Sequence, residues 1–155
     1  MEYLLRNSAL TVLTLLFPLI GSGQQLPVIA DTELSSISPT KNFGTSPMLT
    51  VDSAHSVLLS FDLANLLPAG VAAGQINRAR LILFPDAVTT NGSFKIVDVS
   101  GSWSEGTVTY STKPALSSGS TTAAVTTAFT YVEVPLLALV QTWITNPSSN
   151  HGIEV

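Results

Sequence analysis

The stretch INRARLILF, residues 76–84, alternates from one residue to the next: Ile76, Arg78 and Arg80 fall on one side, and Ala79, Leu81 and Leu83 on the other. A period of two places successive side chains on opposite faces, so this is a strand with one face toward a core and one toward solvent. The segments around it repeat the theme. HSVLLSFDL (55–63) is nearly continuous in apolar residues, which predicts a strand buried on both faces at the centre of a sandwich. QLPVIAD (25–31), MLTV (48–51), SFKIVDVS (93–100), TVTYS (107–111) and TYVEV (130–134) supply further strands. Asn91-Gly92 is a turn dipeptide of the hairpin kind. SSISPTKNFGTSPM (35–48), NLLPAGVAAGQ (65–75) and the Ser/Thr-rich SSGSTTAAVTTA (117–128) read as connections, the last able to carry an irregular strand.

One segment departs from this period. In PLLALVQTWIT (135–145), Leu136, Leu139, Val140, Trp143 and Ile144 recur at three- and four-residue spacing, which predicts a short helix packed on a sheet, opened by Pro135. HGIEV (151–155) then starts a strand, expected at a sheet edge or as the beginning of a longer segment. The fold class is all-β: a jelly-roll-like antiparallel β-sandwich with one short helix near the C-terminus.

With 155 residues the chain makes one domain. Hydrophobic residues form 45% and charged residues 10%, so Ser, Thr, Asn and Gly must cover most of the exterior, as in extracellular β modules. A net charge of −4 excludes nucleic acid as a partner, since no surplus of Lys and Arg is present to displace counterions from phosphates. There is no cysteine, so the core holds the fold without disulfides. Residues 1–23 read as a secretory signal peptide: Arg6 precedes the apolar run SALTVLTLLFPLI, and Gly21 and Gly23 fit a cleavage site. That run is short of the roughly 20 apolar residues a membrane span needs. The expected mature domain is 24–155, secreted or at the cell surface, with no membrane contact after cleavage.

Catalytic candidates are sparse. No cysteine nucleophile or G-x-S-x-G motif is present, His55 and His151 stand far apart in turn-like contexts, and no spacing singles out a pair of carboxylates. The expectation is a protein that is not an enzyme. Calcium is the cofactor that fits best, since it takes carboxylate and carbonyl oxygens, and Asp31 and Asp62 are its candidate ligands. Both also fit strand-end caps, and Asp62 fits a pair with Arg78 or Arg80.

Five motifs occur in order: Ala30-Asp31-Thr32, Asn42-Phe43-Gly44, Leu58-Leu59-Ser60-Phe61-Asp62-Leu63, WSEGTVTYSTKP from Trp103 to Pro114, and Ala138 to Trp143. Together they resemble the DNRLRE-type domain, a group of secreted bacterial and archaeal modules related to the disaggregatase repeat and to a family of carbohydrate-binding modules. The resemblance covers essentially the whole of 24–155. Ser60 stands where those domains usually carry Arg. It implies a further C-terminal stretch with closing strands, so that 24–155 reads as a domain incomplete at its C-terminal end. It also implies that the Trp103–Pro114 run is a shared architectural signature.

Sugar recognition on such a scaffold uses an exposed aromatic for stacking and polar side chains for hydroxyls or carboxylates. Candidate ligand residues are Lys41, Asn42, Arg78, Arg80 and Tyr110, with Phe43 and Tyr131 as further aromatics. The expected partner is a polysaccharide or cell-surface glycan. The alternative is a structural or adhesive head domain without a small ligand, and an exposed aromatic beside Arg, Lys or Asn on one sheet face separates the two.

Overall fold

The computed structural model describes residues 2–6, 12–16 and 23–155. Its strands are β1 (Glu2–Arg6), β2 (Val12–Leu16), β3 (Gly23–Ser35), β4 (Met48–Asp52), β5 (His55–Phe61), β6 (Arg78–Leu83), β7 (Pro85–Val88), β8 (Gly92–Val99), β9 (Leu116–Val125), β10 (Val132–Pro135) and β11 (Ile153–Glu154). Two helices, α1 (Leu63–Leu66) and α2 (Leu137–Thr145), complete the described elements together with single 3-10 turns. One sheet runs β4-β1-β7 and the other β10-β6-β2-β3-β5-β11-β8-β9, with antiparallel pairing throughout. The all-β sandwich read from the sequence is therefore the observed class.

The long strand β3 serves both halves of the larger sheet. Its first residues pair with β2, from Pro27 opposite Val12 to Gly23 opposite Leu16, and its remainder pairs with β5 from Val28 to Ser35. The register shifts between Val28 and Ala30. Such an irregularity bends a strand and lifts a residue out of the ladder, and Ile29, which sits there, is exposed. The core between the layers includes Leu49 and Val51 from β4, Leu59 and Phe61 from β5, Ala79, Leu81 and Leu83 from β6, Phe94 and Ile96 from β8, and Trp143 from α2. A second cluster of Leu34, Leu58, Val99 and Val108 lies on the opposite face of β3 and β5, with Trp103 against it. This explains the continuous apolar run of 55–63: Leu58 faces one cluster and Leu59 the other.

The structure revises several expectations. HGIEV is no edge strand: β11 lies between β5 and β8, Ile153 opposite both Leu59 and Asp98. Asn91-Gly92 does not close a hairpin, since β7 pairs with β1 while β8 pairs with β9 and β11. TVTYS is not a strand; Thr107 to Thr109 precede a 3-10 turn at Tyr110–Thr112. The Ser/Thr-rich segment is more than a connection: it forms a ten-residue strand, β9, whose register against β8 slips between Val97 and Val99, so the irregular strand it was able to carry is present. Pro135 ends β10, and the helix begins two residues later. Ile76 precedes β6 and is buried, so it does not share the open face of Arg78 and Arg80. Within the expected leader, Glu2–Arg6 and Val12–Leu16 form strands, whereas the other residues of 1–22 and the processing of the segment lie outside the described residues. No helix among the described residues is long and apolar enough to cross a membrane.

Entry of β11 into the sheet rests on Gly152. Its φ is +86°, and a Cβ there would sit 2.1 Å from the carbonyl oxygen of Leu59. Gly70 has a similar φ of +83° but open space around it. Replacing each by Ala therefore separates the two costs. Gly70→Ala should lose about 1 kcal/mol of stability from the left-handed backbone alone. Gly152→Ala should lose about 3 kcal/mol or more, because a backbone carbonyl must also move. Urea unfolding of both variants checks the order; equal losses would show that the Leu59 contact does not constrain β11.

Candidate functional site

The open face of β6 and β10 gathers the aromatic and cationic groups. Along β6 the buried residues are Ala79, Leu81 and Leu83, so Arg78, Arg80, Ile82 and the following Phe84 look outward. On β10 Val134 is buried, and Glu133 and the preceding Tyr131 share the outward side. Val132 pairs with Leu83 and Glu133 with Ile82, which brings Tyr131 beside Phe84 with ring centroids 4.9 Å apart at 52°. Phe129 joins from the turn before β10, its centroid 6.4 Å from that of Phe84. Tilted aromatic pairs at these separations are favourable beyond their buried area.

Phe129 is held outward against its own preference. Its φ of +58° lies in the left-handed region, which a bulky residue rarely adopts, and its ring is 70% exposed. The backbone N–H of Phe129 donates to the Pro85 carbonyl at 2.8 Å, which fixes the turn. Tyr131 is 56% exposed. Down the same face, Arg80 forms an ion pair with Glu133, while Arg78 is exposed at the start of the strand. The arginine Nε of Arg80 is buried without a hydrogen-bond partner. Aromatic surface and guanidinium groups thus lie on one side of one sheet.

The other ligand candidates sit elsewhere. Asn42 works inside the fold: its Nδ2 donates to the Glu105 and Val108 carbonyls, both at 2.7 Å, and its Oδ1 accepts from the Gly44 N–H. Gly44 has no left-handed backbone; it is glycine because a Cβ would come within 2.2 Å of the Glu105 carbonyl oxygen. Lys41 stacks its ammonium over Phe43 at 4.6 Å, and Lys113 covers Tyr110 at 5.1 Å. One face of the Tyr110 ring is therefore taken by a cation. The run Trp103–Leu116 holds the fold together through side-chain bonds, although not as the strand its alternation predicts. The Trp103 indole N–H donates to the His151 carbonyl at 2.8 Å, Ser111 N–H donates to Pro39, and Lys113 pairs with the buried Glu154 at 2.8 Å.

The carboxylates proposed for calcium do not converge. Asp62 caps α1, accepting from Asn65 N–H at 3.0 Å and from the Asn65 side chain at 2.6 Å; these bonds hold its carboxyl below the usual range. It does not pair with Arg78 or Arg80. Asp31 lies in β3, close to Glu105, whose carboxyl is pushed up by burial and by the Asp31 charge. Asp98, bonded by the Trp143 indole, is likewise raised by burial. His55 Nδ1 contacts Asp52 at 2.9 Å, far in sequence from His151. No group of three or more His, Asp or Glu ligands gathers among the described residues.

Because Asn42 satisfies three backbone groups at once, Asn42→Ala should cost about 2–3 kcal/mol of stability by leaving them unpaired. Denaturant midpoints check the loss. A variant of unchanged stability that fails to bind glycan would instead return Asn42 to the ligand residues.

A comparison with curated proteins found no match. A comparison with protein families matched residues 22–153, which takes in β3 to β10, the first residue of β11, the aromatic face and the Asn42 and Trp103 anchors. On that match the chain belongs to carbohydrate-binding module family 96.

Proposed function

We propose that this chain is a non-catalytic, secreted module that holds a polysaccharide or cell-surface glycan on the open face of β6 and β10. The observation that carries the reading is the exposed Phe129, kept outward by a left-handed backbone and placed beside Tyr131 and Phe84. Strained backbone persists where surrounding structure over-determines it, and such positions concentrate at ligand contacts. A sugar ring presents C–H groups on one face and hydroxyls at its edge. The aromatic rings meet the first, while Arg78, Arg80 and Glu133 lie where hydroxyls or carboxylates along the same chain arrive. The Arg80–Glu133 pair keeps both side chains extended before ligand arrives, which lowers the ordering cost of binding.

The five sequence motifs ally the chain with the DNRLRE-type branch and with its bacterial, extracellular setting, while the cleaved leader rests on residues 1–23 themselves. The rival reading, a structural or adhesive head, places no ligand on this face. Structural calcium at Asp31, beside Glu105, remains a proposal of the sequence; adding chelator to the binding assay tests it.

Affinity gel electrophoresis of the full chain, in gels holding neutral or acidic polysaccharides, tests the function. Retardation by a polymer is expected, and Tyr131→Ala should weaken it about tenfold, equivalent to about 1.4 kcal/mol. Phe129→Gly makes the sharper test. Glycine tolerates φ +58°, so folding stability should stay level or rise by up to about 1 kcal/mol while retardation falls. A folded chain that migrates normally in every gel would favour the structural head. Loss of stability in Phe129→Gly together with unchanged retardation would assign that ring to packing.

A further inference from the structure

A second recess lies away from the aromatic face. Where β3 bends, a cleft of about 430 Å³ opens between the ends of β3 and β5 and the helices α1 and α2. That volume falls within the range of small-molecule sites, roughly 300–1,000 Å³. Ile29, lifted out by the register shift, and Ile144 of α2 give it apolar walls, and Ser60, Asp62 and Asn150 supply its polar lining.

The polar lining has a definite character. Asn150 donates its Nδ2 to the Phe61 carbonyl at 2.9 Å, which fixes the orientation of the amide. Its Oδ1 is then left buried without a hydrogen-bond partner. Buried acceptors are almost always paired, so this oxygen, in the wall of the cleft, is left one donor short. Asp62 accepts one hydrogen bond on each oxygen from Asn65, and a carboxylate oxygen has capacity for more than one. Ser60 is small, which leaves the space open, and it contributes a hydroxyl. Among the described residues no Lys or Arg lines the cleft.

We infer that this cleft is a second carbohydrate subsite, taking a single uncharged sugar ring whose hydroxyls donate to Asn150 Oδ1 and Asp62 and whose C–H face lies on Ile29 and Ile144. With no cation among its described lining residues, the cleft offers a uronate carboxylate no partner and sets it beside the Asp62 carboxylate. The ligand class rests on the carbohydrate reading above; the site does not, because it shares no residue with Phe84, Phe129, Tyr131 or the arginines. A chain with both sites would hold a polymer on the β6–β10 face and a ring, such as a chain end or a branch, in the cleft.

The test uses isotope-labelled full chain titrated with glucose, galactose and mannose, read as amide and indole chemical shifts. Saturable shifts are expected at the Asn150 side-chain amide and the Trp143 indole with at least one of the three. They should vanish in Ser60→Arg, which fills the cleft, and in Ile29→Arg, where the native side chain is already exposed and the fold tolerates a long substituent. Polysaccharide retardation by the aromatic face should be unchanged in both variants. The inference is overturned if the folded wild type shows no saturable shift with any of the three sugars. It is equally overturned if the shifts persist in a folded Ile29→Arg variant, or if they map only to Phe129 and Tyr131. Because the aromatic face is read by Tyr131→Ala and the cleft by Ile29→Arg, either site can fail while the other stands.

Discussion

Four residues at the end of the described chain hold the larger sheet together. Gly152 turns left-handed against the Leu59 carbonyl and delivers Ile153 and Glu154 between β5 and β8. Val155 and Val57 then exchange both backbone hydrogen bonds, at 2.8 and 3.0 Å, and Val99 N–H reaches the Gly152 carbonyl. Strands β5 and β8 do not otherwise pair, so β11 is what makes one sheet of two. Its side chains extend the effect. Ile153 enters the main core, and Glu154, nearly buried, is neutralised by Lys113, as a carboxylate taken from water requires. Trp103 grips the His151 carbonyl just before the turn. The WSEGTVTYSTKPAL run is thus the clamp on this seam: its first residue holds the approach to β11 and its lysine holds the strand.

The clamp and the loop that carries Asn42 are coupled. Asn42 binds the carbonyls of Glu105 and Val108, inside the same run, and Gly44 is packed so tightly on Glu105 that no side chain fits. A sandwich without disulfides must fix its long connections some other way, and here side-chain amides and an indole do so through backbone groups that are otherwise orphaned. This accounts for the aromatic residues dividing into two populations. Trp103 and Trp143 carry polar handles and are used inside, each donating its N–H, to a carbonyl and to Asp98. Phe129 and Tyr131 remain outside, each paired with the ring of Phe84 rather than set in the core.

How much of this was legible in the sequence follows from where each signal is encoded. Residues 76–84 declared their strand and its open arginine face because burial on one side writes a period of two directly into the chain. The helix at 137–145 did so through its own period. Strand β9 reads only as an irregular strand within a connection because it lies at the edge beside β8, with few buried side chains and a slip in its register, so Ser and Thr meet its needs as well as apolar residues would. Thr107–Ser111 has strand propensity but is bent by Asn42 and Pro39, which capture its backbone from elsewhere in the chain. The candidate site was half visible. Arg78, Arg80 and Tyr131 were recognised as residues, but their union with Phe84 and Phe129 depends on β10 pairing with β6 across some fifty residues, and the left-handed φ of a phenylalanine has no sequence signature. The same holds for the cleft, which a bulge in β3 creates.

The N-terminal segment shows the limit of composition as a guide. A short apolar run after a basic residue suits a leader, and the same run suits a strand between two others, since both require only that the side chains avoid water. In the full chain β1 lies between β4 and β7, and β2 between β3 and β6. Removal of residues 1–23 by cleavage would open those four strands to water or to another strand, each with unpaired N–H and C=O groups. The family match begins at residue 22, and the residues described at both candidate sites follow it. Phe84, Phe129, Tyr131 and the Arg80–Glu133 pair are held by β6 against β10, and the cleft is walled by residues 29 to 150. The two candidate sites are thus described by residues within 24–155, while the first two strands bear on the stability of the sandwich and on the exposure of its edges.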